Sequence, residues 1–340
     1  MAAPLAERDA AHDAAALPLP RGPLSAAIVN ALARSPRPDC LLPADASRAD
    51  PYGDDLQLAL QVCYELHYRG FSGVDPDWEW NPDLLRTRGA LEREFLGALR
   101  ADTPGGADVE GALEELLTEP ADDGAGLTGR LAADGTWPEV REYLVHRSIY
   151  HLKEADPHAW AIPRLRGQAK AALVAVEFDE FGGGHGERMH SKLYADLLAG
   201  AGLSPAYLGY LEHVPAHAFA PVNMMSMFGL HRALRGALVG HFAAAEITTA
   251  PSAQRMVRTL RRHGADEACV RFFSEHVEAD AVHEQVMRHE VIGDLLGREP
   301  ELAADVVFGI QATELLEGRL ADFVLGWWRR GESSLRQPLD

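Results

Sequence analysis

Two histidines and an aspartate share one helix face in the stretch HVEADAVH, where they are His276, Asp280 and His283. At about 100° per residue, their side chains lie within roughly 60° of one another around the helix axis. Two neutral imidazoles and a carboxylate aimed at one point are a common ligand set for iron or manganese. The spacing therefore indicates a metal site, and the alternative is an acidic helix face exposed to solvent.

Further carboxylates and an imidazole stand where they could reach the same point. Glu180 ends a predicted helix with an apolar face, three glycines break that helix, and His190 lies early in the next one. Glu154 lies upstream, and Glu246 follows three alanines on a strongly apolar helix. An unpaired buried carboxylate is costly, so a lone glutamate in such surroundings is expected either to reach solvent or to bind a cation.

The charge of the assembled set suits two irons. Its four carboxylates carry four negative charges, which two divalent irons would balance, as a low-dielectric interior demands. Several of these ligands could bridge and leave positions open for dioxygen, whereas a single zinc would leave half of the set unused. The predicted metal ligands are Glu154, Glu180, His190, Glu246, His276, Asp280 and His283.

The same residues carry a resemblance to a known family. The runs KEADPHAW, EFDEFGGG, MHSKLYADLL, FAAAEITT and FFSEHVEADAVHE resemble the heme-oxygenase-like diiron oxidases and oxygenases, also called iron-containing redox enzymes. The likeness covers about residues 143–296, and CYELHYRGFSGVDPDWEWNP resembles the forepart of many members.

The resemblance implies an all-α, seven-helix heme-oxygenase-like bundle that holds a non-heme diiron cofactor in place of heme. It implies that Glu180 and His190 serve one iron with one imidazole of the HVEADAVH helix, and that Glu154 and Glu246 favour the second iron with the other imidazole. Which of the two histidines serves which iron, and which carboxylate bridges, are left open by the spacing.

The resemblance also implies an oxygenase that reacts with dioxygen and draws electrons from an external reductant of unknown identity. Of the family's two main reactions, we expect N-oxygenation of an amine or guanidine-type nitrogen, to a hydroxylamine or nitro group, in specialised metabolism. The alternatives are oxidative C–C cleavage or desaturation of an amino or fatty acid, and a non-catalytic metal-binding or scaffold protein. A heme protein is disfavoured because the carboxylates would repel heme propionates.

Two other glutamates compete with Glu180 as ligands. Glu187 stands three residues before His190, which imitates the carboxylate and histidine spacing of ferritin-like di-iron proteins. We prefer Glu180 because the family's ligand directly precedes the glycine break, and we rank Glu177 third. His151 is interpreted as a structural histidine close to the site.

Helical periodicity runs through most of the chain, and no segment shows sustained apolar–polar alternation. We divide the chain into a mobile tail at 1–22, an N-terminal helical region at 23–135, the diiron bundle at 136–330 and a tail at 331–340. The N-terminal aromatic residues would pack between two helical layers, or alternatively cover the site or form a homodimer contact. The helices predicted for the bundle span 138–155, 165–181, 188–200, 204–214, 221–247, 251–263, 266–294 and 300–329.

Composition narrows the partners. The formal charge of −19 disfavours nucleic acid and anionic membranes, because both would be repelled. Three widely spaced cysteines, with neither a signal peptide nor a membrane span in the pattern, predict a cytoplasmic location. The partners that the resemblance implies are a small molecule with an oxidisable nitrogen and dioxygen.

Overall fold

The computed structural model describes residues 14–37, 46–117 and 126–339, without the side chains of 278–281. Within these ranges the chain is helical and has no strand, only an isolated bridge between Ala15 and Phe71. The prediction of an all-α protein is confirmed. The helices are α1 (Pro23–Leu32), α2 (Asp54–Glu65), α3 (Pro82–Asp102), α4 (Val109–Leu117), α5 (Gly126–Asp134), α6 (Trp137–His151), α7 (Asp156–Ala159), α8 (Gly167–Glu180), α9 (His190–Gly200), α10 (Ala216–Leu230), α11 (Arg235–Arg262), α12 (Glu267–Gln285), α13 (Gly293–Arg298) and α14 (Ala303–Trp328).

Local sequence signals define where the bundle begins. Thr136 caps α6 in a reciprocal arrangement, in which its hydroxyl accepts from the Glu139 N–H and the Glu139 carboxylate accepts from the Thr136 N–H at 2.7 Å. Pro138 occupies the first turn, where its missing N–H costs nothing. The helix that leads to Glu154 therefore starts at a fixed residue.

Two glycines allow the central helices α11 and α14 to pack backbone against backbone. A Cβ atom at Gly240 would overlap the carbonyl oxygen of Val306, and one at Gly309 would overlap that of Ala237. α12 packs along the other side of α11. The three helices thereby place Glu246 of α11 opposite the histidines of α12.

The N-terminal helices are attached to the bundle by buried polar contacts. Arg21 donates to the carbonyl oxygens of Leu211 and Val214 at 2.7 and 2.9 Å, and Asn223 of α10 donates to the Gln57 carbonyl of α2 at 2.8 Å. The division into a tail, an N-terminal region and a bundle remains a prediction, because residues 1–13 lie outside the described part.

Some predicted helix bounds are wrong. Residues 204–214, predicted as a helix, form turns. The helix predicted at 221–247 is broken at His231, and its second half continues through Pro251 as the single helix α11. α12 runs on through the π-helical segment Val286–Ile292 into α13. No helix in the described part of the chain is long and apolar enough to cross a membrane.

Candidate metal centre

Six of the predicted ligands meet in two buried groups of three. The donor atoms within each group all lie within 4.8 Å of one another. Asp280 lies on α12, but its side chain is outside the described residues. The first group is Glu154, His190 and His276, and the second is Glu180, Glu246 and His283.

The first group joins a turn, the start of α9 and the middle of α12. Nε2 of His276 lies 3.7 Å from Oε1 of Glu154, and the rings of His190 and His276 are 4.3 Å apart. Nδ1 of His276 donates to the Phe272 carbonyl at 2.7 Å. This bond orients the ring so that Nε2 faces the group, as is usual for histidines that bind metals.

The second group is centred on His283. Its Nδ1 donates to Oε2 of Glu246 at 3.0 Å and lies 3.7 Å from Oε1 of Glu180. Its Nε2 faces Asp179 at 3.2 Å. Burial alone would lower the pKa of His283, but the Glu246 hydrogen bond and the surrounding carboxylates raise it to about 9.

The two groups adjoin at Glu180. Its Oε2 lies 2.8 Å from Nδ1 of His190, which belongs to the first group. The structure thus brings Glu180 and His190 together, and the family-based expectation that both serve one iron stays a prediction. The last residue of α8 and the first of α9 come together because the glycine-rich turn between them reverses the chain, with positive φ at Gly182, Gly183 and Gly184.

The residues present fit a pair of metal cations. Oε2 of Glu154 is buried without a hydrogen-bond partner, although a carboxylate oxygen is a strong ligand atom. Burial raises the pKa of Glu246, whereas His151 and His276 outweigh the burial of Glu154 and lower its pKa. Carboxylates that draw a proton onto a buried imidazole would equally attract a divalent cation, and their oxygens with imidazole nitrogens suit iron.

The competing glutamates differ in exposure. The Glu187 side chain is 73% exposed, so it lies away from both groups. Glu177 is buried beside Glu180, neither of its carboxylate oxygens has a hydrogen-bond partner, and burial raises its pKa to about 9. His151 lies 2.9 Å from Oε1 of Glu154 and orients that carboxylate.

A cavity of about 500 Å³ opens beside the two groups. Much of its wall is apolar, from α10, α11 and α12. Arg147 and Glu317 form a bidentate ion pair on this wall at 2.7 and 2.6 Å. The side chain of Arg147 is 24% accessible and that of Glu317 is 35% accessible, because both face the cavity. The residues of the two groups that line the cavity are Glu154, Glu180, Glu246 and His276.

A chain of hydrogen bonds runs along one wall of the cavity. Thr313 donates to the Gly309 carbonyl at 2.7 Å, so its hydroxyl oxygen accepts from Nδ1 of His241 at 2.8 Å. Nε2 of His241 is then the acceptor for Nε2 of His158 at 3.1 Å. Burial lowers the pKa of His241 to about 4 and lowers that of His158 well below its ordinary value, so both rings are neutral.

The sequence analysis missed Asp179 and Glu317. Asp179 lies in the acidic run EFDE, and the sequence analysis assigned only its neighbour Glu180 as a ligand. Glu317 stands on α14, far from every motif, and only its pairing with Arg147 across 170 residues places it at the cavity.

The sequence profile of the iron-containing redox enzyme family matches residues 141–318 of the chain. The chain belongs to that family. The resemblance and the heme-oxygenase-like helical fold are thereby confirmed, and the matched residues hold all six described ligand candidates. As an iron-containing redox enzyme, the chain is an oxidoreductase, and its buried glutamates and histidines are ligands that iron accepts.

A curated member of known activity is also similar. The chain is 25% identical over 237 residues to nitrosourea synthase of Streptomyces achromogenes subsp. streptozoticus. The match covers 69% of this chain but 47% of that relative, so the chain spans about half of its length.

Proposed function

We propose that this iron-containing redox enzyme is a diiron oxygenase that uses dioxygen to oxidise the nitrogen of an amine or guanidine-type small molecule. The observation that carries the proposal is the pair of adjoining buried groups, each with three carboxylate or imidazole donors, beside one cavity. Two groups of ligands joined through Glu180 suit two irons better than one.

Each group would hold one iron. Glu154, His190 and His276 would hold the first iron, and Glu180, Glu246 and His283 the second. Asp280 is retained as a further ligand from its spacing on α12. When bound, ferrous iron supplies the electrons with which dioxygen is activated, and an external reductant would restore them.

The cavity would bind the substrate and exclude bulk water. Phe242, Phe272 and Phe273 form part of its wall next to the two groups, which limits access of water to the reacting atoms. Glu314 adds a carboxylate on the α14 side, where Glu317 is already paired with Arg147. A cavity lined by acidic groups favours a cationic substrate, as amines and guanidines are at neutral pH.

The relative supports oxidation at nitrogen rather than at carbon. A nitrosourea contains a nitrogen bonded to oxygen, and the name nitrosourea synthase assigns its formation to that protein. The present chain is 25% identical to that protein over 69% of its own length. N-oxygenation is therefore preferred over C–C cleavage.

The test is reconstitution with iron followed by a dioxygen pulse. Metal-free protein receives two equivalents of Fe(II) anaerobically and is mixed with a panel of amines, guanidines, amino acids and fatty acids. We expect mass spectrometry with ¹⁸O₂ to show ¹⁸O on nitrogen for one class of basic substrate. Loss of carbon dioxide or formation of an alkene, without an N–O bond, would replace the proposal by C–C cleavage.

A matched pair of variants connects the product to the site. His190→Ala should abolish the product, because His190 is buried in the first group, whereas Glu187→Ala should leave it unchanged, because that side chain faces solvent. Wild-type protein that binds iron but consumes no dioxygen with any substrate would support a metal-binding protein instead.

A further inference from the structure

Glu154 is the described ligand candidate that lies outside a helix. The other five lie on α8, α9, α11 and α12, whereas Glu154 belongs to the turn of residues 152–155 between α6 and α7. A helix fixes the direction of each side chain through its backbone geometry. A turn does not, so the position of Glu154 depends on the groups that hold the turn.

Those groups come from the N-terminal region. Nζ of Lys153 donates to Oε2 of Glu65, the last residue of α2, at 3.0 Å, and both side chains are fully buried. Nη2 of Arg69 donates to the Leu152 carbonyl at 3.4 Å. The two residues that precede Glu154 are thus both held by residues about 80 positions earlier in the chain.

The ion pair is itself fully supported by neighbouring groups. The hydroxyl of Tyr207 donates to Oε1 of Glu65 at 2.7 Å. Nζ of Lys153 lies 4.4 Å from the centre of the Tyr68 ring, and the Arg69 guanidinium lies 4.1 Å from that of Tyr207. A buried charge pair with these additional partners has one favourable geometry.

We propose that the Glu65–Lys153 ion pair, completed by Tyr207, positions Glu154 for metal binding in the first group. The inference depends on the proposed function, since it assigns a metal to that group. It gives the N-terminal region a role at the site, because α2 supplies the carboxylate that holds the ligand-bearing turn. Glu65, Lys153 and Tyr207 are positioning residues and do not touch the metal or the substrate.

A double substitution separates positioning from stability. Replacing both partners of a buried ion pair by neutral residues of similar size often leaves a protein as stable as before, whereas removal of one partner leaves a buried charge unpaired. Glu65→Gln/Lys153→Met removes both charges and keeps the side-chain volumes. Tyr207→Phe is milder, because it removes one hydrogen bond and leaves the charges in place.

The N-terminal region offers a matched control. Glu92 of α3 is also buried and accepts a hydrogen bond from a tyrosine, Tyr64, at 3.0 Å. Its hydrogen-bond partners lie outside the turn of residues 152–155. Glu92→Gln and Tyr64→Phe therefore reproduce the loss of a buried tyrosine–carboxylate bond without touching the turn that carries Glu154.

The experiment is an anaerobic titration of metal-free, full-length protein with Fe(II), with Co(II) absorption as a second readout that needs no activity. We expect Glu65→Gln/Lys153→Met to weaken one of the two metal sites by roughly tenfold or more, which is the usual effect of removing an orienting partner. Glu154→Ala should weaken the same site, and Glu92→Gln and Tyr64→Phe should bind both metals as the wild type does.

The outcomes separate the two proposals. Wild-type protein that binds no iron overturns the proposed function, whereas wild-type binding with an unchanged double variant overturns only the positioning role. If the double variant does not fold, Tyr207→Phe decides between the outcomes. A lower metal affinity at one site supports the positioning role, and unchanged affinity at both sites overturns it.

Discussion

Oε2 of Glu180 lies 2.8 Å from Nδ1 of His190, although these two residues belong to different groups of donors. The other oxygen of the same carboxylate lies 3.7 Å from Nδ1 of His283. Glu180 therefore reaches both groups, so it is the described carboxylate that we would expect to contact both of the proposed irons.

This position predicts how iron content responds to mutation. Glu180→Ala should remove most of both irons, because both groups lose a donor, whereas Glu246→Ala should affect mainly the second group. Iron per chain after anaerobic loading and gel filtration measures this. Glu187→Ala is the control for loss of a carboxylate beside the same turn. Iron lost from Glu187→Ala but kept by Glu180→Ala would reverse the assignment.

Asp179 should act on iron through His283. Its carboxylate lies 3.2 Å from Nε2 of that histidine, and a carboxylate in this position fixes the orientation of a ligating imidazole. We expect Asp179→Asn to weaken iron binding at the second group by ~10-fold or more. Asp196→Asn, which removes an exposed aspartate paired with Lys192 on α9, should leave both affinities unchanged. Equal iron affinities in the two variants would contradict the role of Asp179.

The convergence of the six described ligand candidates was predictable from the sequence, because their chemistry conflicts with their surroundings. Glu246 lies among alanines, where a carboxylate is costly unless it binds a partner, and a run of glycines interrupts the helical pattern between Glu180 and His190. The resemblance added the fold. The grouping was not predictable, because it depends on how the turn after α8 folds back and brings two adjacent helix ends together.

Contacts between residues far apart in the chain could not be predicted from the sequence. The Glu65–Lys153 pair spans 88 residues, and neither residue stands in a pattern that indicates its partner. The error at 204–214 has a similar origin. The Tyr210 hydroxyl accepts a hydrogen bond from the Ser204 N–H at 2.6 Å, and this contact stabilises turns over a stretch of helical composition.

His146 should make the stability of the protein depend on pH. Burial and the charge of Arg147 lower its pKa from 6.5 to about 3. The unfolded chain then binds a proton that the folded chain does not, so stability decreases as the pH falls below 6.5, by up to about 1.4 kcal/mol per pH unit. The loss is complete below the folded pKa.

Comparison of His146→Gln with the wild type isolates this effect. Denaturant unfolding of metal-free protein at several pH values between 4.5 and 7 should give a flatter pH dependence for the variant. His185→Gln, on the exposed turn after Gly184, controls for the loss of a histidine. Parallel curves for His146→Gln and the wild type would show that folding does not lower the pKa of His146.

The contact between α11 and α14 predicts that two glycine-to-alanine substitutions on α14 change the stability of the protein in opposite directions. Gly309→Ala should destabilise the protein by ~2 kcal/mol or more, because the added methyl group would overlap the Ala237 carbonyl and force the two helices apart. Gly326→Ala has open space at its Cβ and should stabilise α14 by up to ~1 kcal/mol, since alanine favours a helix over glycine. Thermal unfolding of both variants measures the difference. Because Glu246 lies on α11, Gly309→Ala should also weaken the binding of iron at the second group. If the variant has normal iron binding and normal stability, the two helices do not meet at these glycines.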